Sequence, residues 1–332
     1  MKAKGLGRNL FFTLCVVAGL ALLGCSKSGP PPVIKAGPPP TGPTMLTLKW
    51  PVDSRVELAV DLKQPMETKI PGQAEPMKQD LLLTQKYART VLSESPDGSH
   101  VVAMEIVGTK MSMKGGQQGE VAFDSSDPSS ETNATGATAR KLVGAKVQIF
   151  LDASNRVQKV EGAGELRKLI GPTAKNDPLG LLGDLTSEDT FRNLMKANES
   201  LPTTPVQPGD TWPVKSESHS KTMGIIVSDH TYKFIGWERR NDHNVAHLQF
   251  DGTIATKAGE DLRISGLPAT MQGGNSSGEA WFDLEEGMFV EGDVTQDMTV
   301  TLTMPKEAGP LAGQPITVSL NQFITVKLVR TR

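Results

Sequence analysis

The chain has 332 residues, a formal net charge of −2 and two cysteines. That length makes one large domain or two of ordinary size, and a weakly acidic balance without basic blocks argues against nucleic acid as a partner. Both cysteines, Cys15 and Cys25, lie near the N-terminus, so the remaining body holds no thiol for nucleophilic, redox or metal chemistry and no disulfide.

The chain begins with a basic stretch, Lys2, Lys4 and Arg8, and an apolar run of 14 residues follows from Leu10 to Leu23. Basic stretch, apolar stretch and a small residue at the cut site make a secretory signal. A membrane-crossing helix would need about 20 apolar residues. The run ends in Leu22-Leu23-Gly24-Cys25. This tetrapeptide resembles the lipobox of bacterial lipoproteins, with Leu23 where Ala or Ser is usual. The resemblance implies cleavage between Gly24 and Cys25 and a covalent lipid on Cys25, carrying three acyl chains in many Gram-negative bacteria. Two or more chains are what stable anchoring requires. Ser26 stands where Asp would be the inner-membrane retention signal, which by the same resemblance implies the outer membrane, with the body facing the periplasm. Removing the signal takes three positive charges with it and moves the net charge from −2 to −5.

Residues 26–44 contain seven prolines in nineteen positions and read as a polyproline-type tether. At about 3.1 Å per residue it spans up to roughly 60 Å. From Met45 the pattern has period two. In the clearest run Met288, Val290, Gly292, Val294, Gln296, Met298, Val300, Leu302 and Met304 alternate with a polar set, and Ile316, Val318, Leu320, Ile324, Val326 and Leu328 repeat the logic near the C-terminus. One wet and one dry face suits an antiparallel sheet. Further strands are expected at 45–50, 54–63, 79–93, 99–113, 119–124, 145–161, 222–237, 244–257 and 261–265. Between them, Thr186 with Asp189 starts a helix whose apolar stripe is Phe191, Leu194 and Met195. A second short helix is expected over 162–170.

Two segments recur. Val101–Thr109 matches Val245–Thr253 without gaps, and Gly119-Glu-Val-Ala-Phe-Asp124 answers Gly278-Glu-Ala-Trp-Phe-Asp283 in the same order. The fold expected is therefore mainly β, with long antiparallel strands in a duplicated β-unit, as a half-barrel or curled sheets, and a small helical insert. The divisions are a signal peptide over 1–24, lipidated cysteine and tether over 25–44, a first β-unit over 45–161, a helical connector over 162–205 and a second β-unit over 206–332. Asp124 and Asp283 are read as turn residues, with Glu120 and Glu279 as a less favoured carboxylate pair. With its lipobox, tether, Leu48-Lys49-Trp50 and repeated β-units, the chain resembles a family of uncharacterised bacterial envelope proteins to which no function is assigned.

Catalytic motifs are absent: there is no Gly-x-Ser-x-Gly elbow, phosphate loop or His-Glu-x-x-His. A hairpin turn near 238–243 would set His247 opposite Phe234 and His230 beside Asp251, leaving His243 and His247 on one face without a third ligand. Asp124, Asp127, Ser129, Ser130 and Glu131 offer oxygens but not the spacing of a calcium loop. No enzyme activity, metal or cofactor is expected beyond the lipid on Cys25. Three functions compete: a binding or structural module contacting another envelope component; a carrier holding a hydrophobic ligand such as lipid in an apolar cavity similar to that of Lol-like proteins, lined by Met104, Met111, Met288, Met298 and Met304; and, least favoured, an enzyme of unfamiliar type that no sequence feature supports.

Overall fold

The computed structural model describes residues 38–115, 120–132, 134–171, 178–220, 224–240, 242–259, 262–264 and 267–329. Gly24 and Cys25, with the whole signal and most of the tether, lie outside them. The strands are β1 (Arg55–Lys69), β2 (Met77–Glu94), β3 (His100–Gly115), β4 (Val121–Asp124), β5 (Lys146–Leu151), β6 (Val157–Glu161), β7 (Thr211–Ser220), β8 (Gly224–Arg240), β9 (His243–Thr256), β10 (Arg263–Ile264), β11 (Leu267–Asp283), β12 (Met288–Thr303) and β13 (Pro315–Val329). All pair antiparallel in the order β6-β5-β3-β2-β1-β13-β12-β11-β9-β8-β7, with β4 added to β3 and β10 to β11. The mainly β architecture is a single curled sheet that does not close on itself.

Alternation sorts each strand into two rows. On β1 Leu58, Val60, Leu62 and Met66 are buried while Asp61, Lys63, Glu67 and Lys69 face solvent. On β12 Met288, Val290, Val294, Met298, Val300 and Leu302 are all buried, as is Met304 just beyond its end. Each such side chain contributes roughly 1.5–3 kcal/mol by leaving water, so a slip of one residue would expose the whole row. The outward row is charged, the reverse of a barrel that meets lipid tails. Among the described residues no helix is long and apolar enough to cross a membrane.

The duplication is visible in the strand order. β6-β5-β3-β2-β1 and β12-β11-β9-β8-β7 are the same five-strand arrangement, and β13 joins β1 to β12. The first recurring block lies on β3 and β9, equivalent places. The second does not. Gly278–Asp283 runs beside Val245–Phe250, whereas Val121–Asp124 pairs with Lys110–Met113 and β5 takes the place beside His100–Glu105. Both aspartates nonetheless hold turns: Asp283 Oδ1 accepts the N–H groups of Glu285 and Glu286, and Asp124 Oδ1 that of Ser126.

Several expectations need correction. Residues 45–50 form no strand; they cross one end of the sheet as a strap. Strand β1 continues past Pro65, with its ladder to β13 interrupted between Lys63 and Met66, because proline has no N–H to donate. The expected 238–243 turn is tighter, by three residues on the β8 side and one on the β9 side, with Arg240 paired to His243. His230 therefore faces Gly252 and Phe234 faces Leu248, one place from the expected register, and a bulge sets His247 against Gly236. Strand β7 and the first half of β11 are additional. The latter carries Gly273 and Gly274, and at the second its neighbours leave no room: a Cβ on Gly274 would stand 2.1 Å from the Asp297 carbonyl oxygen and 3.1 Å from the Ile254 side chain.

The helices α1 (Ala134–Lys141), α2 (Ala163–Ile170), α3 (Pro178–Leu185) and α4 (Glu188–Leu194) fall between β4 and β7, of which the second and fourth match expectation. The cap of α4 is Ser187 rather than Thr186; its hydroxyl accepts the Thr190 N–H at 3.2 Å.

Candidate functional site

An open sheet leaves two edges with unpaired backbone groups, here β6 and β7. Helix α4 lies between them. Arg192 donates from Nη1 to the Val157 carbonyl (2.9 Å) and from Nη2 to that of Gln158 (3.3 Å), both at β6. Asn193 Nδ2 donates to the His219 carbonyl on β7 (3.1 Å). Phe191, wholly buried, meets the Tyr87 ring edge-on at 6.2 Å on the inward row of β2. A 3-10 turn (Lys196–Ser200) follows, and its Ser200 carbonyl accepts the Trp212 indole N–H (2.8 Å). The helix is thus both a bridge across the seam and a cover over the concave face.

The strap closes one end. Thr44 exchanges backbone hydrogen bonds with Val206, and the Lys49 N–H donates to the Gly287 carbonyl. Lys49 Nζ donates to the carbonyls of Leu284 and Glu285. Trp50 donates its indole N–H to Asn155 Oδ1 (2.7 Å) in the β5–β6 turn. Beside the strap an open cleft of about 400 Å³ is lined by Leu46, Asn155, Lys196, Ser216, His230 and Tyr232, among others. A second of about 770 Å³ adjoins it along Leu201 to Trp212.

The concave face carries polar groups at two places. Midway across, Gln64, Gln322, Gln296 and Ser276 stand side by side on β1, β13, β12 and β11. Gln322 donates to Gln64 Oε1 (2.8 Å) and Gln296 to Ser276 Oγ (3.2 Å). In register the row continues through Gly252 to His230. Gln296 Oε1, Gln322 Oε1 and His230 Nε2 are buried without a hydrogen-bond partner. Burial holds the His230 imidazolium pKa below its ordinary value against the pull of Asp229 and Asp251. Nearer the strap, Arg89 is 4% exposed, its guanidinium 4.8 Å from the Trp50 ring centroid. Desolvation draws its pKa down to about 10. His100 is also buried, with its ring 5.8 Å from that of Trp50 and Nδ1 unpartnered. Tyr87, between Arg89 and Gln85, donates its hydroxyl to Gln85 Oε1 (2.7 Å), and burial raises its pKa.

The residues singled out from sequence do not gather. Glu120 pairs with Lys114 (3.2 Å), while Glu279 faces His247 Nε2 (3.4 Å) several strands away. On the outer face Glu238 accepts from His247 Nδ1 (2.8 Å) and the Trp281 indole N–H (3.0 Å), and Arg240 lies over the Trp281 ring at 3.8 Å. His243 instead meets Asp283 Oδ2 (2.7 Å). Asp127 accepts from Ser129, as Asp124 does from Ser126, within the loop itself. No group of three or more metal-ligating side chains occurs among the described residues. The methionines expected to line a cavity are buried in the inward rows.

Together these features define an antiparallel half-barrel, charged outside and apolar within, whose seam is bridged by α4 and whose core also takes in Leu166 of α2 and Leu182 and Leu185 of α3. The chain belongs to a family of unknown function, DUF6263, whose model matches residues 97–289. No curated protein matches it. Among solved structures it is similar to one described as lipid–protein interactions in lipovitellin, at 8% identity and a TM-score of 0.44, over 86% of this chain and 26% of that one. The chain thus spans about a quarter of the lipovitellin chain. An outer membrane channel from Pseudomonas putida F1 gives 6% identity and a TM-score of 0.24 over 85% and 97% of the two chains. A DUF1329 family protein from Desulfovibrio piger gives 9% and 0.15 over 82% and 83%. At these scores the likenesses carry no functional inference.

Proposed function

We propose that this chain is an envelope binding protein, held to a membrane through a lipid on Cys25, that takes its ligand on the concave face behind α4 and performs no chemistry on it. One observation carries the reading: the seam between β6 and β7 is joined by side chains of α4 and not by a strand ladder. Parting it breaks three side-chain hydrogen bonds, each worth about 0.5–1.5 kcal/mol net, whereas parting two paired strands would break a whole ladder. The Pro-rich tether supports the anchored reading, since it sets the body away from the lipid surface.

A second reading, recognition of another envelope protein at the strap end, is favoured by the packing of the inward rows, in which Met104, Met111, Met288, Met298 and Met304 are all buried, and by the open clefts beside Lys196 and Lys215. Native mass spectrometry of residues 26–332 purified from an envelope compartment separates the two. A mass excess lost on denaturation is the expected result. A clean protein mass, unchanged when the seam residues Arg192 and Asn193 are replaced by alanine, would overturn concave-face binding and direct attention to a protein partner.

A further inference from the structure

Arg89 is a cation inside an apolar face, 4% exposed. Among the described residues no carboxylate pairs with it and no acceptor takes its N–H groups; its guanidinium lies over the Trp50 ring. Its strand neighbours are Val56 and Met104. A buried charge without a partner is among the costliest features a fold can carry, and the lowered pKa reflects desolvation with no opposing charge. A tryptophan face offsets only a little of this and leaves the planar fork of donors free along its edge. That fork fits carboxylate or phosphate oxygens. His100, whose ring also lies against that of Trp50, adds a buried ring nitrogen without a partner.

We propose that Arg89, Trp50 and His100 seat the anionic headgroup of a bound amphiphile, with its apolar chain against Tyr87 and Phe191. This rests on the concave-face reading given above and names its ligand class. The geometry supplies a path: Phe191 of α4 covers Tyr87, two residues from Arg89 on the same face, so lifting α4 bares the approach. Trp50 is held by Asn155, which also lines the 400 Å³ cleft, so the strap connects that cleft with the cation. Because the surroundings are apolar and Arg89 is almost wholly buried, an anion carried on a molecule that itself leaves water fits the site best.

The test is calorimetric titration of the chain from Ser26 onwards, which keeps every described residue, with dodecyl phosphate, dodecanoate, dodecanol and inorganic phosphate. Wild type should bind both anionic amphiphiles at least about tenfold more tightly than dodecanol, as a charge-assisted fork-to-oxyanion pair requires. Arg89→Met should remove that preference while leaving dodecanol binding intact. It should also raise the melting temperature of the ligand-free protein, since an unbalanced buried cation is replaced by an apolar chain of similar volume. Arg89→Lys, which keeps the charge without the fork, should bind the anions with intermediate affinity. Equal affinity of wild type for dodecanol and the anions would overturn the anion seat but leave concave-face binding standing. Failure of every amphiphile to bind would overturn both. Inorganic phosphate binding as tightly as dodecyl phosphate would overturn the amphiphile, and a lower melting temperature in Arg89→Met would show that the cation is balanced within the fold.

Discussion

Replacing Arg192 and Asn193 together by alanine removes every side-chain hydrogen bond that α4 is seen to make to the two sheet edges. Three bonds at about 0.5–1.5 kcal/mol each, discounted because the Arg192 side chain is 30% exposed, give about 2–3 kcal/mol. The ion pair to Glu188 (2.7 Å) adds only a few tenths, because Glu188 is half-exposed. Local opening of the seam should therefore become roughly 30- to 140-fold more frequent. Hydrogen–deuterium exchange read by peptide is the assay. Exchange should accelerate in β6, α4 and β7, while β1, β13 and β12 in the middle of the sheet keep wild-type protection. Uniform acceleration across all strands, or none at α4, would refute the reasoning, since either result would mean that the helix is not the joint of an independently opening seam.

Two further outcomes follow from single positions. Gly287 has φ +63°, and a Cβ there would stand 2.7 Å from the Lys49 backbone nitrogen. Gly287→Ala should cost about 2–3 kcal/mol, lowering the melting temperature by roughly 5–10 °C and loosening the strap, seen as a red shift in Trp50 emission in a chain whose other tryptophans are replaced. His230 concerns pH. Burial lowers its folded-state pKa below the ordinary imidazole value of about 6.5, so its contribution to stability is present above that value and is lost as pH falls through the folded pKa. Urea midpoints measured from neutral pH downward should therefore fall more steeply for wild type than for His230→Gln; parallel profiles would show that this imidazole is not kept neutral by the fold.

What could be read from the sequence was what repeats along a strand. β12 and β13 are long and alternate strictly, so their inward rows were legible residue by residue. Gln296 and Gln322 were legible only as interruptions of those rows; that they stand side by side is a fact of register between strands, which one sequence does not contain. The first half of β11 was hidden because close approach of the Asp297 backbone and the Ile254 side chain selects glycine at Gly274, interrupting the alternation that marks a strand. β7 was masked by the proline-rich connector before it and by its run of Ser, Lys and Glu, typical of an edge. Arg89 gave no signal at all, since an arginine in an alternating row reads as outward-facing; only burial and the strap reveal it. The α4 stripe was legible, but not its hydrogen bonds to two edges that the chain order places far apart.

The position of β13 sets the order in which this molecule can be completed. Of the described strands it is the last in chain order, yet it pairs with β1 on one side and β12 on the other, at the centre of the sheet. Until it arrives, each five-strand unit presents a long unpaired edge, Arg55–Lys69 in one and Met288–Thr303 in the other. Such edges recruit other strands, and contacts this distant in sequence form slowly. The nascent chain therefore passes through a period in which two nearly finished halves must be kept from pairing with each other in the wrong register or with neighbouring chains. A truncation within the last fifteen residues should accordingly do more than fray an end: it would leave two half-sheets with nothing to join them.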